Sequence, residues 1–434
     1  MTDILIKNLP ILVVLCPLMM SLIVVLIPNI FLSWLLTFAS TFVAFIFSIL
    51  LYQEVQIHST ISYALGNWAP PLGIEYVIDK VSIFPIIIIT LIGFLTTIFS
   101  SKMMPDEINE TSISKVYSLW LLAIAGLIGL VTTGDAFNLF VFLEISSLAS
   151  VALVAMGAQK DKQALVAAYN YLIIGAVGAT LYVIGVGLLY GITGTLNMAD
   201  LSERVLDLKN NKALIAGFGF MIVGIMVKAA IFPMHIWLPR AYAYAPSAVS
   251  VLLAATATKA SLYILARILF SVFDIADNLI INTISYIILP LSIIAMFAGT
   301  IMAIYEKDIK RLLAHSSVAQ IGYITLAFAI GTKASVAAGF ISKLYLIKAS
   351  ISADGLWIAI LILFSSALSV IYLWKMIEAL WLQQPRKEII IKENPTIYIS
   401  LLIITFLNIY FGLDASFVVN SSTEAAEKLV GVSK

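Results

Sequence analysis

The sequence contains few charged residues and almost none of the residues that bind metals or form disulfides. Only 11% of its 434 residues are Asp, Glu, Lys or Arg, whereas soluble domains usually carry about 25%. A single cysteine, Cys16, excludes an internal disulfide and a cysteine-based metal site. The three histidines lack the spacing of metal ligands, so we expect no metal. The net charge of +1 gives no indication of a nucleic-acid partner.

Motifs of soluble enzymes are missing as well. The sequence has no phosphate-binding loop, nucleophile elbow or dinucleotide-binding fingerprint, and no evident pairing of a nucleophile with a base. We therefore expect neither a cofactor nor catalytic residues, and an intramembrane enzyme is the least favoured class. Any redox chemistry would belong to an oxidoreductase complex of which this chain is one part.

Long apolar runs make up most of the chain instead. Hydrophobic residues account for 62% of it, and its mean hydropathy is +1.06. Many runs are close to the roughly 20 residues that a helix needs to cross a bilayer. Barrel strands would be shorter and would alternate, so we predict an all-α polytopic membrane protein with about 12 transmembrane helices plus a partial helix. The predicted apolar segments are 4–27, 30–51, 79–100, 116–133, 137–157, 164–190, 213–232, 247–272, 279–305, 312–331, 335–350, 354–382 and 396–412, and the loops 52–78 and 191–212 are long enough for a short strand or hairpin.

Lysine and arginine in the loops predict the orientation, because cytoplasmic loops carry an excess of both. If the N-terminus lies outside, the inside loops as far as residue 311 hold eight basic residues and the outside loops hold three. We therefore expect the N-terminus outside, in a cell inner (plasma) membrane. The inside residues are Lys102, Lys115, Lys160, Lys162, Arg240, Lys307, Lys310 and Arg311, and the outside residues are Arg204, Lys209 and Lys212.

The segment 335–350 does not fit this alternation as a full crossing. It is short for a span and carries two lysines. The later basic loop should lie inside, which requires the run 354–382 to enter from outside. We therefore expect 335–350 to be a half-helix or a re-entrant segment buried in protein. The basic residues of the later loop are Arg386, Lys387 and Lys392.

Four ionisable residues stand out within the apolar runs, where each costs roughly 2.5–3.5 kcal/mol to insert. They are Glu144, Lys228, Lys259 and Lys343. One interpretation is that their side chains extend to the interface or satisfy one another structurally. Lys259, however, follows Pro246 by 13 residues, roughly 20 Å along a helix, which is too deep for this. The other interpretation is a pathway for ions or protons, which rows of such residues mark in membrane proteins.

Opposite charges among these residues predict how such a pathway would work. Burial disfavours the charged forms of a lysine and a glutamate, and a nearby opposite charge favours them. A Glu144–Lys228 pair is therefore a proton switch, because the lysine tends to release its proton when the pair separates. Lys259, His315 and Lys343 extend the predicted relay, bridged by water and hydroxyl groups.

A proline, Pro233, follows Lys228 by five residues in the stretch GFGFMIVGIMVKAAIFPMHIWLP. Proline inside a helix removes one hydrogen bond and clashes with the carbonyl four residues earlier. Either one long helix is interrupted near mid-membrane with Lys228 beside the break, or the span ends at Pro233 and an interfacial linker follows. The sequence leaves both open. We expect His235, two residues on, to be packed or interfacial.

Several motifs resemble those of the antiporter-like subunits, which are the large proton-translocating subunits of respiratory complex I, membrane-bound hydrogenases and Mrp-type Na+/H+ antiporters. The motifs occur in order over roughly residues 75–350. Their residues are most similar to those of the D-type Mrp subunit and its hydrogenase relatives. They are TGDAFNLFVFLEISSLAS, VKAAIFPMHIWLPRAYAYAPSAVSVLLAATATKASLYILAR, YEKDIKRLLAHSSVAQIGY and GFISKLYLI.

The resemblance implies roles and a fold. Glu144 matches the glutamate of the fifth helix, Lys228 the lysine of the broken seventh helix, and Lys259 the central lysine of the eighth. Lys343 matches the terminal lysine of a second broken helix. The implied fold is two inverted five-helix repeats, each with one broken helix. We accordingly expect N-terminal helices at 1–110, an intact first repeat at 111–272, a shortened second repeat at 273–382, and a C-terminal helix and tail at 383–434.

The sequence departs from the family pattern after residue 331. Members of the family carry about 50 further residues there, which form another helix and the first half of the second broken helix. Here only TKASVAA stands in that place. The first half-channel is therefore expected to be intact, and the route through Lys343 is in doubt.

These observations favour a subunit of a multisubunit membrane complex that translocates protons or exchanges Na+ for H+. Its expected partners are other membrane subunits of an antiporter, hydrogenase or respiratory complex, together with the lipid bilayer. An alternative is a structural subunit that no longer pumps. A free-standing solute permease is disfavoured, because no signature of a substrate pocket is evident.

Overall fold

A computed structural model gives the architecture of the protein and describes residues 2–208, 211–273, 278–341, 343–382 and 395–430. In these ranges the chain is a bundle of α helices with one small β hairpin, which confirms the predicted all-α membrane fold. Four of the basic loop residues used to predict the orientation, Lys209, Arg386, Lys387 and Lys392, lie outside the described residues.

The helices follow one another in chain order with short connections. Short 3₁₀ or π-helical turns extend several of them. Met156–Gln159 is a 3₁₀ turn, and Ile268–Val272 and Glu378–Leu382 are π-helical turns. The helices are α1 Thr2–Val24, α2 Ile30–His58, α3 Ile83–Glu107, α4 Glu110–Thr132, α5 Ala136–Ala155, α6 Gln163–Thr193, α7 Met198–Arg204, α8 Lys212–Lys228, α9 Trp237–Tyr244, α10 Ser247–Arg267, α11 Asn278–Thr283, α12 Leu289–Tyr305, α13 Ile309–Ile330, α14 Lys333–Ile341, α15 Lys343–Ser352, α16 Leu356–Ile377, α17 Pro395–Leu413 and α18 Ser416–Val430.

Ten helices within the described ranges are long and apolar enough to cross a membrane. A bent pair, Leu401–Phe411 and Ser416–Val430, meets at 71° and is an eleventh candidate. Helix α8 is shorter than these spans because it ends at Lys228 in the middle of an apolar run. The protein is therefore a multi-span membrane protein, as the sequence predicts.

The loop after α2 forms the β hairpin that its length allows. Strand β1, Thr60–Ala64, pairs antiparallel with β2, Glu75–Asp79, so that Thr60 lies opposite Asp79. Strand β2 is the buried member of the pair. The loop at 191–212 contains the short helix α7 instead, because the Asn197 side chain accepts hydrogen bonds from two backbone amides at its start.

Local side chains determine where several helices begin and end. Asp135 starts α5 by accepting a hydrogen bond from the Asn138 amide at 2.7 Å, and Asp308 starts α13 in the same way from Arg311 at 2.9 Å. These are ordinary N-caps, which replace the missing backbone acceptors of the first turn. Gly194 takes a left-handed conformation, with φ of 71°, where α6 ends.

Glycines allow α6 and α8 to pack at very short range. A Cβ added to Gly224 on α8 would lie 2.5 Å from the carbonyl oxygen of Gly178 on α6. One added to Gly185 on α6 would lie 2.5 Å from the carbonyl oxygen of Gly217 on α8. Because the two backbones touch at both levels, α8 is held rigidly against α6 up to the point where it ends.

The segment predicted to be a partial crossing consists of two short helices, α14 and α15. It is not one of the helices long enough to span. The C-terminal helix α18 packs against α14. The tail is therefore packed on the bundle along the described helix Ser416–Val430.

Candidate functional site

Lys228 is the last residue of α8, at the point where the helix breaks. Its residue surface is only 8% exposed. The chain runs through turns after it, with Ala230 in the left-handed region at φ 54°, and resumes as α9 at Trp237. The structure therefore ends α8 at Lys228 and places Pro233 in the turns that lead to α9.

Ser147 on α5 is the partner of this lysine. The Lys228 Nζ donates a hydrogen bond to the Ser147 Oγ. Gly175 on α6 makes room for the ammonium group, since a Cβ there would lie 3.3 Å from Nζ. Sequence reasoning missed Ser147, although a serine one turn after Glu144 in an apolar run was the available signal.

Glu144 lies one turn before Ser147 on α5. Its Oε1 is buried and has no hydrogen-bond partner among the described residues. No ion pair within 4.0 Å joins its carboxylate to Lys228 in this part of the chain. The structure thus brings Glu144 and Lys228 to one site with Ser147 as the group in contact, and the two charges do not touch.

Two aromatic residues support the break and were not anticipated. The ring of Trp237 at the start of α9 stacks on Tyr171 of α6, with centroids 4.2 Å apart and planes 3° from parallel. The Trp237 Nε1 donates to the carbonyl oxygen of Val227 at 3.2 Å. That carbonyl is one of those released by the end of α8, so Trp237 links the two halves of the broken helix directly.

Lys259 is half-buried, halfway along α10. Its Nζ donates to the backbone oxygen of Ala254, five residues earlier in the same helix. No carboxylate of the described residues pairs with it. A cavity of about 190 Å³ adjoins it, lined by Lys259, Thr256 and Tyr263 among apolar side chains. The central lysine therefore has space beside it but no counter-ion.

His315 lies near the turn between α12 and α13. Its Nε2 is 3.9 Å from the Glu306 Oε2. It also acts electrostatically on His235, which is 4% exposed and stacks on Phe232 with centroids 5.2 Å apart. The Nδ1 atoms of both histidines are buried without a hydrogen-bond partner in the described chain. No hydrogen bond in that part of the chain joins His315 to Lys259 or Lys343.

Lys343 begins α15 and is half-buried. Its Nζ lies 4.2 Å from the centre of the Tyr323 ring on α13, a cation–π contact that offsets part of the cost of burial. The Tyr323 hydroxyl donates to Ser365 at 2.9 Å. Within the described residues, no hydrogen bond connects this group to Lys259.

The two ends of α10 carry charged clusters that the sequence did not reveal. At its start, the Glu107 carboxylate accepts from the Ser247 amide at 2.6 Å beside a cavity of about 640 Å³. At its end, Arg267 forms a two-fold ion pair with Asp79. Its side chain is 15% exposed and bound to a carboxylate 188 residues away.

The fold and this site together define a multi-span membrane protein with ionisable side chains inside its helical bundle. Residues 133–338 match the family model described as "NADH:quinone oxidoreductase/Mrp antiporter, TM". The matched segment contains Glu144, Lys228, Lys259 and His315, whereas Lys343 lies beyond its end. The predicted resemblance to the antiporter-like subunits is confirmed.

Curated relatives agree with this assignment. The chain is 42% identical over 269 residues to the N-type subunit of the NADH-quinone oxidoreductase of Desulforudis audaxviator, covering 62% of this chain and 52% of that protein. It is 31% identical over 306 residues to the D-type subunit of the Na(+)/H(+) antiporter of Alkalihalophilus pseudofirmus, covering 70% and 60%. It is 29% identical over 332 residues to the corresponding antiporter protein of Bacillus subtilis, covering 76% and 65%. The chain thus spans between half and two thirds of the length of these relatives.

Solved structures show the same fold over nearly the whole chain. A chain of the membrane-bound sulfane sulfur reductase, described as an archaeal respiratory membrane complex, superposes with a TM-score of 0.85 and 27% identity, covering 98% of each chain. A chain of the Mrp complex from Dietzia sp. DQ12-45-1b superposes with a TM-score of 0.87 and 20% identity, covering 99% of this chain and 98% of that one. The latter likeness concerns the fold alone.

Proposed function

We propose that the chain translocates protons, or exchanges Na+ for H+, as one subunit of a multisubunit membrane complex. The observation that supports this best is Lys228, an almost fully buried ammonium group at the end of a broken helix, bonded to a serine instead of a carboxylate. A lysine in the membrane interior costs free energy, and such residues mark ion and proton routes. Discontinuous helices at mid-membrane are a common device of transporters.

The proposed switch consists of Lys228, Ser147 and Glu144. When the Glu144 carboxylate approaches Lys228, the charged ammonium form is favoured, and when the carboxylate withdraws, desolvation favours the neutral amine. Ser147 holds the Nζ in place while the carboxylate moves. The proton that Lys228 releases passes to Lys259 on α10, which packs against α8. In this proposal His315 and Lys343 remain further members of the pathway.

The proposed partners are other membrane subunits, with protons and Na+ as the transported ions. Two kinds of likeness support this: relatives bear the names of antiporter and NADH-quinone oxidoreductase subunits, and the superposed chains come from membrane complexes. The inner (plasma) membrane, the outward N-terminus and the division at residues 110, 272 and 382 belong to the same proposal. The chain itself would carry no redox chemistry.

Substitution of the switch residues tests the proposal. Lys228→Ala and Glu144→Ala are each expected to abolish proton transport by the complex without preventing its assembly. Transport is measured with a pH-sensitive dye in vesicles that contain the complex, and assembly is measured by co-purification. Lys115→Ala, at an exposed lysine on α4, is the matched control. Transport at the wild-type rate by either switch variant would contradict the proposal.

A structural subunit is the second candidate, and one observation favours it. Lys343 rests on Tyr323 and has no hydrogen-bonded connection to Lys259 within the described chain. Lys259→Ala separates the two candidates. A complex in which the chain only supports its neighbours keeps its transport rate in this variant, whereas a translocating chain loses it.

A further inference from the structure

Two cavities lie along the same helix, on either side of a charged cluster. The first, of about 190 Å³, is lined by Lys259 and Tyr263 of α10. The second, also of about 190 Å³, is lined by Arg267 at the end of α10 and by Glu75 and Thr133 beside the β hairpin. Lys259, Tyr263 and Arg267 follow at intervals of four residues and so share one face of the helix. Tyr263 and Arg267 therefore stand between the two cavities.

Arg267 is held in place between the two cavities by hydrogen bonds. Its two terminal nitrogens donate to the Asp79 Oδ2 and Oδ1 at 2.9 and 2.8 Å. Its Nε also donates to the Tyr263 hydroxyl, at 3.1 Å. Asp79 is only 2% exposed and accepts further bonds from the backbone amides of Val81 and Ser82. The guanidinium is thus hydrogen-bonded both to the buried Asp79 carboxylate and to the Tyr263 hydroxyl, and Tyr263 lines the first cavity.

The C-terminal helix α18 reaches the same carboxylate. The Lys428 Nζ lies 3.2 Å from the Asp79 Oδ2 and donates to the Thr60 Oγ1 of the hairpin at 2.6 Å. A second ion pair, Lys80 with Glu424 at 3.3 Å, ties α18 to the same face without involving Asp79. Helix α18 therefore contacts the cluster of Asp79, Arg267 and Tyr263 through Lys428.

We propose that Tyr263, Arg267 and Asp79 form an exit gate for protons that reach Lys259, and that α18 holds this gate closed through Lys428. The inference rests on the proposed function. The Lys259 ammonium gives one proton to water in the first cavity and becomes neutral. That proton crosses to the second cavity when Arg267 moves away from Tyr263, while the guanidinium keeps its own protons.

The geometry favours this exit over the one through Lys343. Eight residues of helix, about 12 Å, separate Lys259 from Arg267. Both cavities adjoin that stretch. In the described residues, the Lys343 ammonium makes a cation–π contact with the Tyr323 ring.

The first experiment compares the two lysines that hold α18. The complex is reconstituted in vesicles, and passive proton leak down an imposed pH gradient is measured. Lys428→Ala is expected to raise the leak several-fold, because it frees one side of the gate. Lys80→Ala, which breaks the neighbouring ion pair and leaves Asp79 untouched, is expected to leave the leak unchanged. Equal leak in both variants and the wild type would overturn the bracing role of α18.

The second experiment tests the gate itself beside Lys259→Ala. Tyr263→Phe keeps the ring but removes the hydroxyl, and is expected to slow driven transport about tenfold, equivalent to roughly 1.4 kcal/mol in the barrier. If Lys259→Ala abolishes transport while Tyr263→Phe transports at the wild-type rate, the exit gate is wrong and the proposed function stands. If Lys259→Ala itself transports normally, the proposed function fails and the gate with it. Should Tyr263→Phe not assemble, the leak of Lys428→Ala decides.

Discussion

Lys228 is held by a hydroxyl group, and this decides how easily its charge can change. A carboxylate in contact would favour the charged form of the lysine strongly. A serine accepts only one hydrogen bond, so the charged and neutral forms of the buried lysine stay closer in free energy. Glu144 lies one turn before Ser147, and its Oε1 has no hydrogen-bond partner among the described residues. In the proposed function, movement of this carboxylate shifts that balance. The arrangement is therefore better suited to switching than a permanent ion pair.

Ser147→Ala is expected to slow proton transport about tenfold without unfolding the protein, because the charged ammonium loses a hydrogen-bond acceptor worth roughly 1–3 kcal/mol. The rate is measured in vesicles, with the amount of assembled complex as reference. Ser146→Ala is the matched control, since the Ser146 hydroxyl donates to the Leu143 carbonyl of its own helix. A wild-type rate in Ser147→Ala would show that the hydrogen bond is incidental.

Asp79→Asn is expected to destabilise the protein by about 3–5 kcal/mol, because it leaves the Arg267 guanidinium buried without a counter-charge. Thermal unfolding in detergent measures the loss. Glu424→Gln, at the exposed ion pair on the same face, should cost less than about 1 kcal/mol. Equal stability of Asp79→Asn and the wild type would contradict the structural importance of this pair.

The same pair predicts a dependence on pH. Burial raises the pKa of Asp79, but the charges of Arg267 and Lys428 outweigh burial and hold that pKa well below its usual range. A carboxyl group with a depressed pKa contributes stability that is complete above its unfolded pKa of about 3.9 and is lost as the pH falls toward the folded value. The stability difference between wild type and Asp79→Asn should therefore be constant from neutral pH to about 5 and shrink only in stronger acid.

At the scale of elements, the broken helix depends on how closely α8 lies against α6. The glycine contacts bring the two backbones together below the break, and Trp237 with Tyr171 fixes α9 above it. Because both halves are anchored to α6, the end of α8 is placed where Lys228 meets α5. The end of α8 at the break therefore determines the position of Lys228.

Gly224→Ala is expected to destabilise the protein by about 1–3 kcal/mol, since the new methyl group would collide with the backbone of α6. Gly219→Ala is the control on the same helix, because nothing lies within 4 Å of a Cβ there. The measurement is thermal stability in detergent, followed by transport. If the two variants were equally stable, the close packing of α6 on α8 would not be required.

At the scale of the whole molecule, much of the apolar surface is exposed and must meet lipid or other membrane proteins. Helix α16 is an example, with Ile360, Leu363 and Phe364 each more than half exposed. The chain, tagged and purified in mild detergent, is expected to bring other membrane subunits with it. Recovery as a monomer that takes up a solute would instead favour a permease. Iron–sulfur or nickel proteins among its companions would indicate a respiratory or hydrogenase complex, and only small membrane subunits an antiporter.

The elements were largely predictable because their causes are local in the chain. Apolar runs of spanning length, the hairpin loop after α2 and the short segment at 335–350 all follow from composition and length. Pro233 indicated an irregularity, and the structure places turns at 229–236 between the end of α8 and the start of α9. Lys228 and Lys259 were identifiable as buried charges from their positions in apolar runs alone.

The sequence by itself determined the class of protein, the positions of its helices and the residues that carry charge into the membrane, because hydropathy and helix-breaking chemistry act over a few turns. Only the tertiary structure decided what each charge touches. Ser147 meets Lys228 across 81 residues, and Asp79 meets Arg267 across 188. Such contacts depend on how helices pack side by side, which no local pattern encodes, and they distinguish a buried lysine bound to a hydroxyl group from an arginine paired with a carboxylate.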